Sequence, residues 1–322
     1  MRFPYHWRRH PQEKVENVSR LIELYRNSVQ QWEVDMMGHM NVQFYVQKST
    51  AALAVLAQEL GLAPRDLRDS GACLVPLDHH IRFLKEQRPG APVVINGGVI
   101  AATPERLTVY QEMVNAASED VVATFQVTAQ LQDARTRSPR QLPGGAVDRA
   151  RALITDVPEH GAPRGLDLHA PRPAPTVAEA EQGGMKATWR GPVLPARGDA
   201  HGYLATDAHM GIVSDAVPNL LVRLTREDRS QGRIGGAALE YRFVYRQPAR
   251  VDDLLTLYSG IRTVGTKAYQ FGHWLFDASS GEVIATAEAV AVLLDLDARK
   301  AITIPEDRRS ILEAHIVPGL SA

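Results

Sequence analysis

From residue 42 to residue 60, apolar side chains recur at Val42, Tyr45, Val46, Leu53, Leu56 and Leu60. Steps of three and four residues predict one long helix with a buried stripe. Asn41 stands where a cap is needed, and Gly61 suits a left-handed exit. The period then changes. Strand-like runs occupy 79–85, 93–102, 106–115 and 121–131, and a second set occupies 238–246, 253–263, 267–277 and 283–294. Short turns such as "DASSGE" join neighbouring runs, which predicts antiparallel pairing. A leading strand, a long helix and four strands make an α+β layer.

The two sets are related. "SEDVVATFQVTAQLQDARTRSPRQLP" (118–143) lies against "SGEVIATAEAVAVLLDLDARKAITIP" (280–305) without a gap. "HIRFLKEQRPG" matches "EYRFVYRQPAR" with Arg82-Phe83 on Arg242-Phe243, and "GHMNVQFYVQKSTAAL" matches "AHMGIVSDAVPNLL" with His39-Met40 on His209-Met210. Between the copies, proline, glycine and charge crowd 138–184, the composition of a semi-extended connector. The expected organisation is an N-terminal half over 1–145, a linker over 146–185 and a C-terminal half over 186–322. Two such halves can join their sheets edge to edge, which removes two exposed edges.

Composition excludes more than it selects. The chain has 322 residues, 44 % hydrophobic and 23 % charged, with a formal net charge of −1. Those values suit a soluble globular protein of about two domains. They give no global field towards nucleic acid or an anionic membrane. No apolar run approaches the roughly 18 residues of a membrane span. The polar N-terminus "MRFPYHWRRHPQEKVENVSR" lacks the apolar core of a secretion signal. One cysteine, Cys73, excludes an intramolecular disulfide framework and fits a reducing compartment. The expected location is the cytoplasm.

Candidate chemistry gathers at "VDMMGHMN" (34–41), where Asp35 precedes His39 by four residues and Gly38 marks the turn into the helix. A helix N-terminus offers free N–H groups and a positive dipole end, able to hold a developing oxyanion. A carboxylate in the preceding turn can attack a carbonyl or activate water. Asp35 is also explained as a plain turn acid, and His39 as a capping or packing residue. His79 and His80 are neighbours on one strand and so face opposite sides.

The order strand, Asp-x-x-Gly-His-Met-Asn, long helix, four strands resembles the hotdog-fold thioesterases of the 4-hydroxybenzoyl-CoA thioesterase-like type. The pattern Asp35, His39, Met40, Asn41, Tyr45 also resembles plant acyl-ACP thioesterases. The resemblance covers the first half well and the second by repeat. It implies a double hotdog in which each long helix is wrapped by an antiparallel sheet. It implies catalytic roles for Asp35 and His39, with Gly38, Met40, Asn41, Tyr45 and Asp78 on the substrate side. Asp78 sits where relatives often carry an acid entering this strand. The plant pattern has an asparagine two residues after the acid, where this chain has Met37.

The resulting expectation is hydrolysis of an acyl-CoA thioester, with Asp35 as general base or nucleophile. The alternatives are an enoyl-CoA hydratase of the same fold and a non-catalytic acyl-CoA-binding protein. No cofactor is implied, and no partner beyond the acyl-CoA substrate; a homo-oligomer of double-hotdog chains stays open. In the second copy the His209-Met210 match puts Ala205 opposite Asp35, so one competent site per chain is expected. Asp199, His201, Asp207 and His209 lack the spacing of a compact zinc motif, and no metal is expected. Arg223, Arg226, Arg229 and Arg233 suit coenzyme A phosphates or, balanced by Glu227 and Asp228, a solvated surface.

Overall fold

The computed structural model describes residues 21–225 and 234–322, and in these the two halves repeat one order of elements. The first half holds strand β1 (Ile22–Ser28), helices α1 (Val42–Glu59) and α2 (Pro64–Asp69), and strands β2 (Ala72–Phe83), β3 (Pro92–Ala102), β4 (Leu107–Asn115) and β5 (Val121–Asp133). Helices α3 (Gly144–Arg151) and α4 (Val177–Gln182) follow. The second half holds β6 (Lys186–Pro192), α5 (Thr206–Thr225), β7 (Ile234–Tyr245), β8 (Leu254–Val264), β9 (Ala268–Asp277), β10 (Val283–Asp295), β11 (Lys300–Ala301) and α6 (Glu306–Glu313). Among the described residues the eleven strands form one sheet, ordered β1-β3-β4-β5-β2-β7-β10-β9-β8-β6, with β11 on β10. All the strand pairs are antiparallel. The double hotdog expected from the sequence is the observed fold. The arginine run at 223–233 and the acids within it fall outside the described side chains.

Helix α1 forms where the apolar stripe predicts it. Asn41 caps it by accepting the Gln43 N–H on its side chain at 2.9 Å. Its inner face buries Tyr45, Val46, Ala52, Leu53, Leu56 and Ala57 against the sheet. Leu56 is wholly buried, and a leucine so placed stabilises the fold by about 1.5–3 kcal/mol. Two polar residues share that face. Lys48 is neutralised by Glu33 at 2.6 Å, and Ser49 donates to Gln111 at 2.6 Å with its hydroxyl 3.3 Å from His79.

The halves meet where β2 pairs with β7, with His80 directly opposite Arg242. His80 Nε2 reaches Glu240 at 2.7 Å, and Arg242 Nη2 donates to Asp78 at 2.6 Å. Each half thus offers one base and one acid to the other across the seam. The connector covers these groups: the N–H groups of Arg164 and Gly165 donate to Glu240 at 3.0 and 2.7 Å, and Arg242 donates to the Asp167 carbonyl at 3.0 Å. Burial pushes the Glu240 carboxyl up, but the hydrogen bonds from His80, Arg164 and Gly165 outweigh it and hold the group below the ordinary carboxylate range. The proline-rich stretch is therefore a third layer on the sheet face opposite the helices. The repeat also runs further than the sequence match shows. Ile154 bridges Val99 beyond α3, and Ile316 bridges Ile261 beyond α6, both in parallel.

These buried groups set how stability responds to mutation and to pH. Glu240→Ala leaves His80 and two backbone donors without their acceptor, and is expected to cost about 3–5 kcal/mol in urea unfolding, the scale for breaking a buried charged pair. A loss under about 1 kcal/mol would mean that the seam does not depend on it. Burial also depresses His79 and His273 to about 3 and His209 to about 4. Each is neutral in the fold and takes up a proton on unfolding once pH falls below about 6.5, so stability declines on acidification from there down to the folded values. The expected slope is about 1.4 kcal/mol per pH unit for each histidine. Replacing His209 by Gln should flatten the curve between pH 6 and 4.5, which denaturant titrations across that range would show.

Candidate active site

A short 3-10 turn, Gln31–Glu33, brings the chain from β1 towards α1. The Glu33 carbonyl accepts the Asn41 N–H at 2.8 Å, and Val34 bridges Met40, so the intervening residues form a closed loop. Inside it the Asp35 N–H donates to the His39 carbonyl at 3.1 Å, and the Gly38 N–H donates to the Asp35 carbonyl at 3.0 Å. Gly38 has φ +78°, while the nearest atom to a Cβ placed on it would be Arg299 Nη2 at 3.9 Å. Backbone conformation, not lack of space, asks for glycine here.

The two oxygens of Asp35 do different work. Oδ1 accepts the Met37 N–H at 2.8 Å and so fixes the turn. Oδ2 lies 3.6 Å from His39 Nδ1, and His39 Nε2 lies 3.6 Å from Glu86 Oε1. His39 Nε2 is buried and has no hydrogen-bond partner. Arg299 crosses from the second half, donating to the Met37 carbonyl at 2.9 Å and to Glu86 at 3.4 Å. A histidine between two carboxylates, beside the first turn of a helix, can pass a proton to or from a bound oxygen or sulfur.

The other expected residues divide. Asn41 stays at the helix entrance, and its Nδ2 donates to Ser214 of α5 at 3.0 Å. Met40 and Tyr45 are buried behind the turn, 1 % and 3 % exposed. The Met40 N–H donates to the Gln87 carbonyl at 2.7 Å, and the Tyr45 ring stands edge-on to Phe83. They position the turn from beneath. Asp78 is not brought to this turn: Arg242 takes its carboxylate at the seam, because the side chains of 78, 80 and 82 share the face opposite α1. Glu86, Gln87 and Arg299 were missed. Arg299 alone had a signal, since it matches Arg137 in the gapless repeat.

The second half builds the same loop, though not where the His209-Met210 match puts it. A 3-10 turn at Pro195–Arg197 precedes it, the Arg197 carbonyl accepts the Ala205 N–H at 2.9 Å, and Gly198 bridges Leu204. The Gly202 N–H donates to the Asp199 carbonyl at 3.1 Å with φ +77°, and Asp199 Oδ1 accepts the His201 N–H at 2.8 Å. Asp35 therefore corresponds to Asp199, His39 to Tyr203 and Asn41 to Ala205. The dipeptide match is six residues out of register, because His209-Met210 lies inside the first turns of α5 whereas His39-Met40 precedes α1. The acid is present in both copies.

Its surroundings differ. Arg137, the counterpart of Arg299, forms an ion pair with Asp199 Oδ2 and lies 4.3 Å over the Tyr203 ring. Ala205 offers no capping side chain to α5, and His209 Nδ1 bonds the Ala205 carbonyl at 2.9 Å. Asp207 accepts from Gln43 at 3.2 Å. Among the described residues no group of three or more His, Cys, Asp or Glu side chains is placed to share a metal ion. A cavity of about 650 Å³ lies at the β6 edge between Trp189, Asn219 and Tyr258, and shares no residue with either turn. Despite its size, no carboxylate–histidine arrangement lines it.

A family model described as "Thioesterase-like superfamily" matches residues 29–165 and 193–313. The chain belongs to that superfamily. Thioester hydrolysis is the chemistry of thioesterases, and both copies of the repeat fall within the match. Two solved structures similar over the double hotdog are an acyl-ACP thioesterase from Bacteroides thetaiotaomicron and a 12:0-ACP thioesterase from Umbellularia californica. The first is 12 % identical with a TM-score of 0.62, covering 83 % of this chain and 96 % of that one. The second is 11 % identical with a TM-score of 0.63, covering 85 % and 94 %. At such identities the likeness concerns the fold. No curated protein sequence matches the chain.

The shared loop geometry yields a prediction for this thioesterase-like chain. Gly38→Ala and Gly202→Ala force alanine into the same left-handed conformation, and each is expected to cost about 1–2 kcal/mol. Equilibrium unfolding of both variants checks it. A cost at one turn only would mean that the loops are not equivalent.

Proposed function

We propose that this chain hydrolyses acyl-CoA thioesters at the Asp35 turn. One observation carries the reading: Asp35 Oδ2 faces His39 and, among the described residues, has no arginine ion pair, whereas the equivalent oxygen of Asp199 is taken by Arg137. A carboxylate tied to a guanidinium is a poor base and a poor nucleophile, while one beside an imidazole can act as either. As base, Asp35 takes a proton from water, the new hydroxide attacks the thioester carbon, and the thiolate leaves with a proton from His39. As nucleophile, Asp35 attacks the thioester carbon, the C–S bond breaks and the thiolate leaves with a proton from His39. Water then opens the acyl anhydride to the free acid and the Asp35 carboxylate. Amides of the first turn of α1 hold the oxyanion in either route. Gly38 and Asn41 border the reacting carbonyl, while Met40 and Tyr45 hold the turn. Glu86 orients His39, and Arg299 fixes the Met37 carbonyl.

The reading keeps the protein in the cytoplasm, where acyl-CoA is found; no described helix is long and apolar enough to cross a membrane. Coenzyme A is preferred as carrier because the near-neutral sequence offers no large basic surface for an acidic carrier protein. Two of the structures similar over the double hotdog are named for acyl-ACP, so acyl-ACP belongs in the substrate panel.

Thiol release from acyl-CoAs of graded length, followed with a thiol dye, tests the assignment. Asp35→Asn should lower turnover at least about a hundredfold, the scale of a lost acid–base group, without changing the unfolding midpoint much. His39→Asn should cost less if the imidazole only orients. Hydration of enoyl-CoA without thiol release would make the protein a hydratase, and binding without either reaction an acyl-CoA-binding protein. Undiminished turnover in folded Asp35→Asn would move the chemistry elsewhere.

A further inference from the structure

The connector covers the outer face of the second half unevenly. Ala180 of α4 joins a small core with Trp274 and Phe276, and Val177 packs against its margin. Beyond α4, towards the edge strand β6, lies the cavity of about 650 Å³, a volume usual for a small-molecule site. Phe276, Tyr258 and Thr256 line it across β9 and β8, with Trp189 and Arg190 on β6 and Val177 on α4. Arg190 pairs with Thr256, and Thr256 with Phe276, so these three side chains share one face of the sheet. The Tyr258 ring stands edge-on to Phe276 with centroids 5.9 Å apart, and its hydroxyl donates to Glu181 of α4 at 2.9 Å.

The repeat shows what is unusual about the charge here. Strands β1 and β6 carry their bulge at the same place, between Glu23 and Tyr25 and between Ala187 and Trp189. Glu23 therefore corresponds to Ala187, and Arg26 to Arg190. Arg26 is held by its neighbour: it donates to the two Glu23 oxygens at 2.8 and 2.6 Å. Ala187 offers Arg190 no such acceptor. Among the described residues Arg190 makes no ion pair and no side-chain hydrogen bond, and it is exposed. Burial and Glu181 push the Tyr258 phenol up, and the Arg190 charge acts on it in the opposite sense. The one acid in the lining, Asp277, is engaged by its own hairpin, where Oδ1 accepts the Ser279 and Ser280 N–H groups at 2.8 and 2.7 Å.

An aromatic floor beside an unopposed guanidinium suits a flat ring that carries a phosphate. The Thr256 hydroxyl and the Asn219 amide add hydrogen-bonding groups for ring nitrogens. We propose that this cavity binds a nucleoside phosphate, with its base on the Tyr258 and Phe276 rings and its phosphate on Arg190. Free nucleotides and the nucleotide end of coenzyme A share that chemistry. The site shares no lining residue with either turn, so its occupant takes no part in the reaction at Asp35, and the inference does not depend on that reaction.

Calorimetric titration with AMP should find one site per chain. Arg190→Ala should weaken AMP at least about tenfold, the scale of a lost hydrogen bond to a charged group, and leave adenosine almost unchanged. Ala187→Glu rebuilds the pair that Glu23 and Arg26 make in the first half, and should weaken AMP as much. Ala187→Gln, similar in size but uncharged, should not. Both positions lie on an edge strand away from the turns, so thiol release should persist in all three variants. Competition separates the two sources. Displacement of AMP by CoA assigns the nucleotide end of the coenzyme, and AMP that stays bound in excess CoA assigns a free nucleotide. 4′-Phosphopantetheine, which has the phosphate but no ring, should not compete, and displacement by it as strong as by CoA would overturn the base site. Absence of AMP binding at millimolar concentration, or affinity unchanged in both Arg190→Ala and Ala187→Glu, overturns the inference. If AMP binds as expected and no substrate releases thiol, the proposed hydrolysis fails and the nucleotide site stands.

Discussion

The pairing of β2 with β7 is the constraint on which the molecule depends. A hotdog half has one sheet and one helix, and both the sheet edge and the helix's far side need cover. Antiparallel pairing centred on His80 opposite Arg242 supplies the first, and it brings α1 and α5 side by side to supply the second. The seam is polar on its outer face, so its charges must be matched. His80 with Glu240 and Arg242 with Asp78 are the same exchange made twice, once in each direction. A slip of one residue in β7 would turn Glu240 and Arg242 towards the helices and leave His80 and Asp78 without them.

The same pseudo-twofold arrangement explains why each turn is completed by the opposite half. The hairpin beyond β5 ends at Arg137 and the hairpin beyond β10 at Arg299, both with positive φ. Arg137 meets the turn before α5, and Arg299 the turn before α1. Two free copies of one chain would have to make these contacts identically. A fused chain is released from that condition, because each arginine, and each residue it meets, can change alone.

Much of the fold was legible because its signals are local. The stripe from Val42 to Leu60 and the alternation of the later strands each depend on near neighbours, and so their ends fall within a few residues of the expected places. The exception is instructive: β2 starts at Ala72, seven residues before the run at 79–85, because Cys73, Leu74 and Val75 in its first part are all half-buried and show no alternation. At the site, the grouping of Asp35, Gly38, His39 and Asn41 was legible since one loop holds them. Glu86 and Arg299 were not, as they arrive from distant segments. The second loop was misread for a physical reason as well. An identical dipeptide outweighed the acid–glycine spacing, although that spacing, Asp199 to Gly202, is what a left-handed turn closed by an Asp side chain requires.

That requirement also settles what the acid in such a turn signifies. In both halves Oδ1 accepts the N–H two residues on, so the aspartate would be needed for the loop even if no reaction took place. Its presence alone therefore says little about catalysis. The distinguishing atom is Oδ2, and its partner is chosen outside the loop. Arg299 meets the first turn at the Met37 carbonyl and pairs with Glu86 instead of Asp35, which is left facing an imidazole. Among the described residues no such acid draws Arg137 away from the second; it pairs with Asp199, and its other nitrogen meets Cys73. One glutamate on the segment after β2 thus separates a carboxylate able to take a proton from one that is held. In the proposed hydrolysis the turn acid and the reacting acid are the same residue, read at different oxygens.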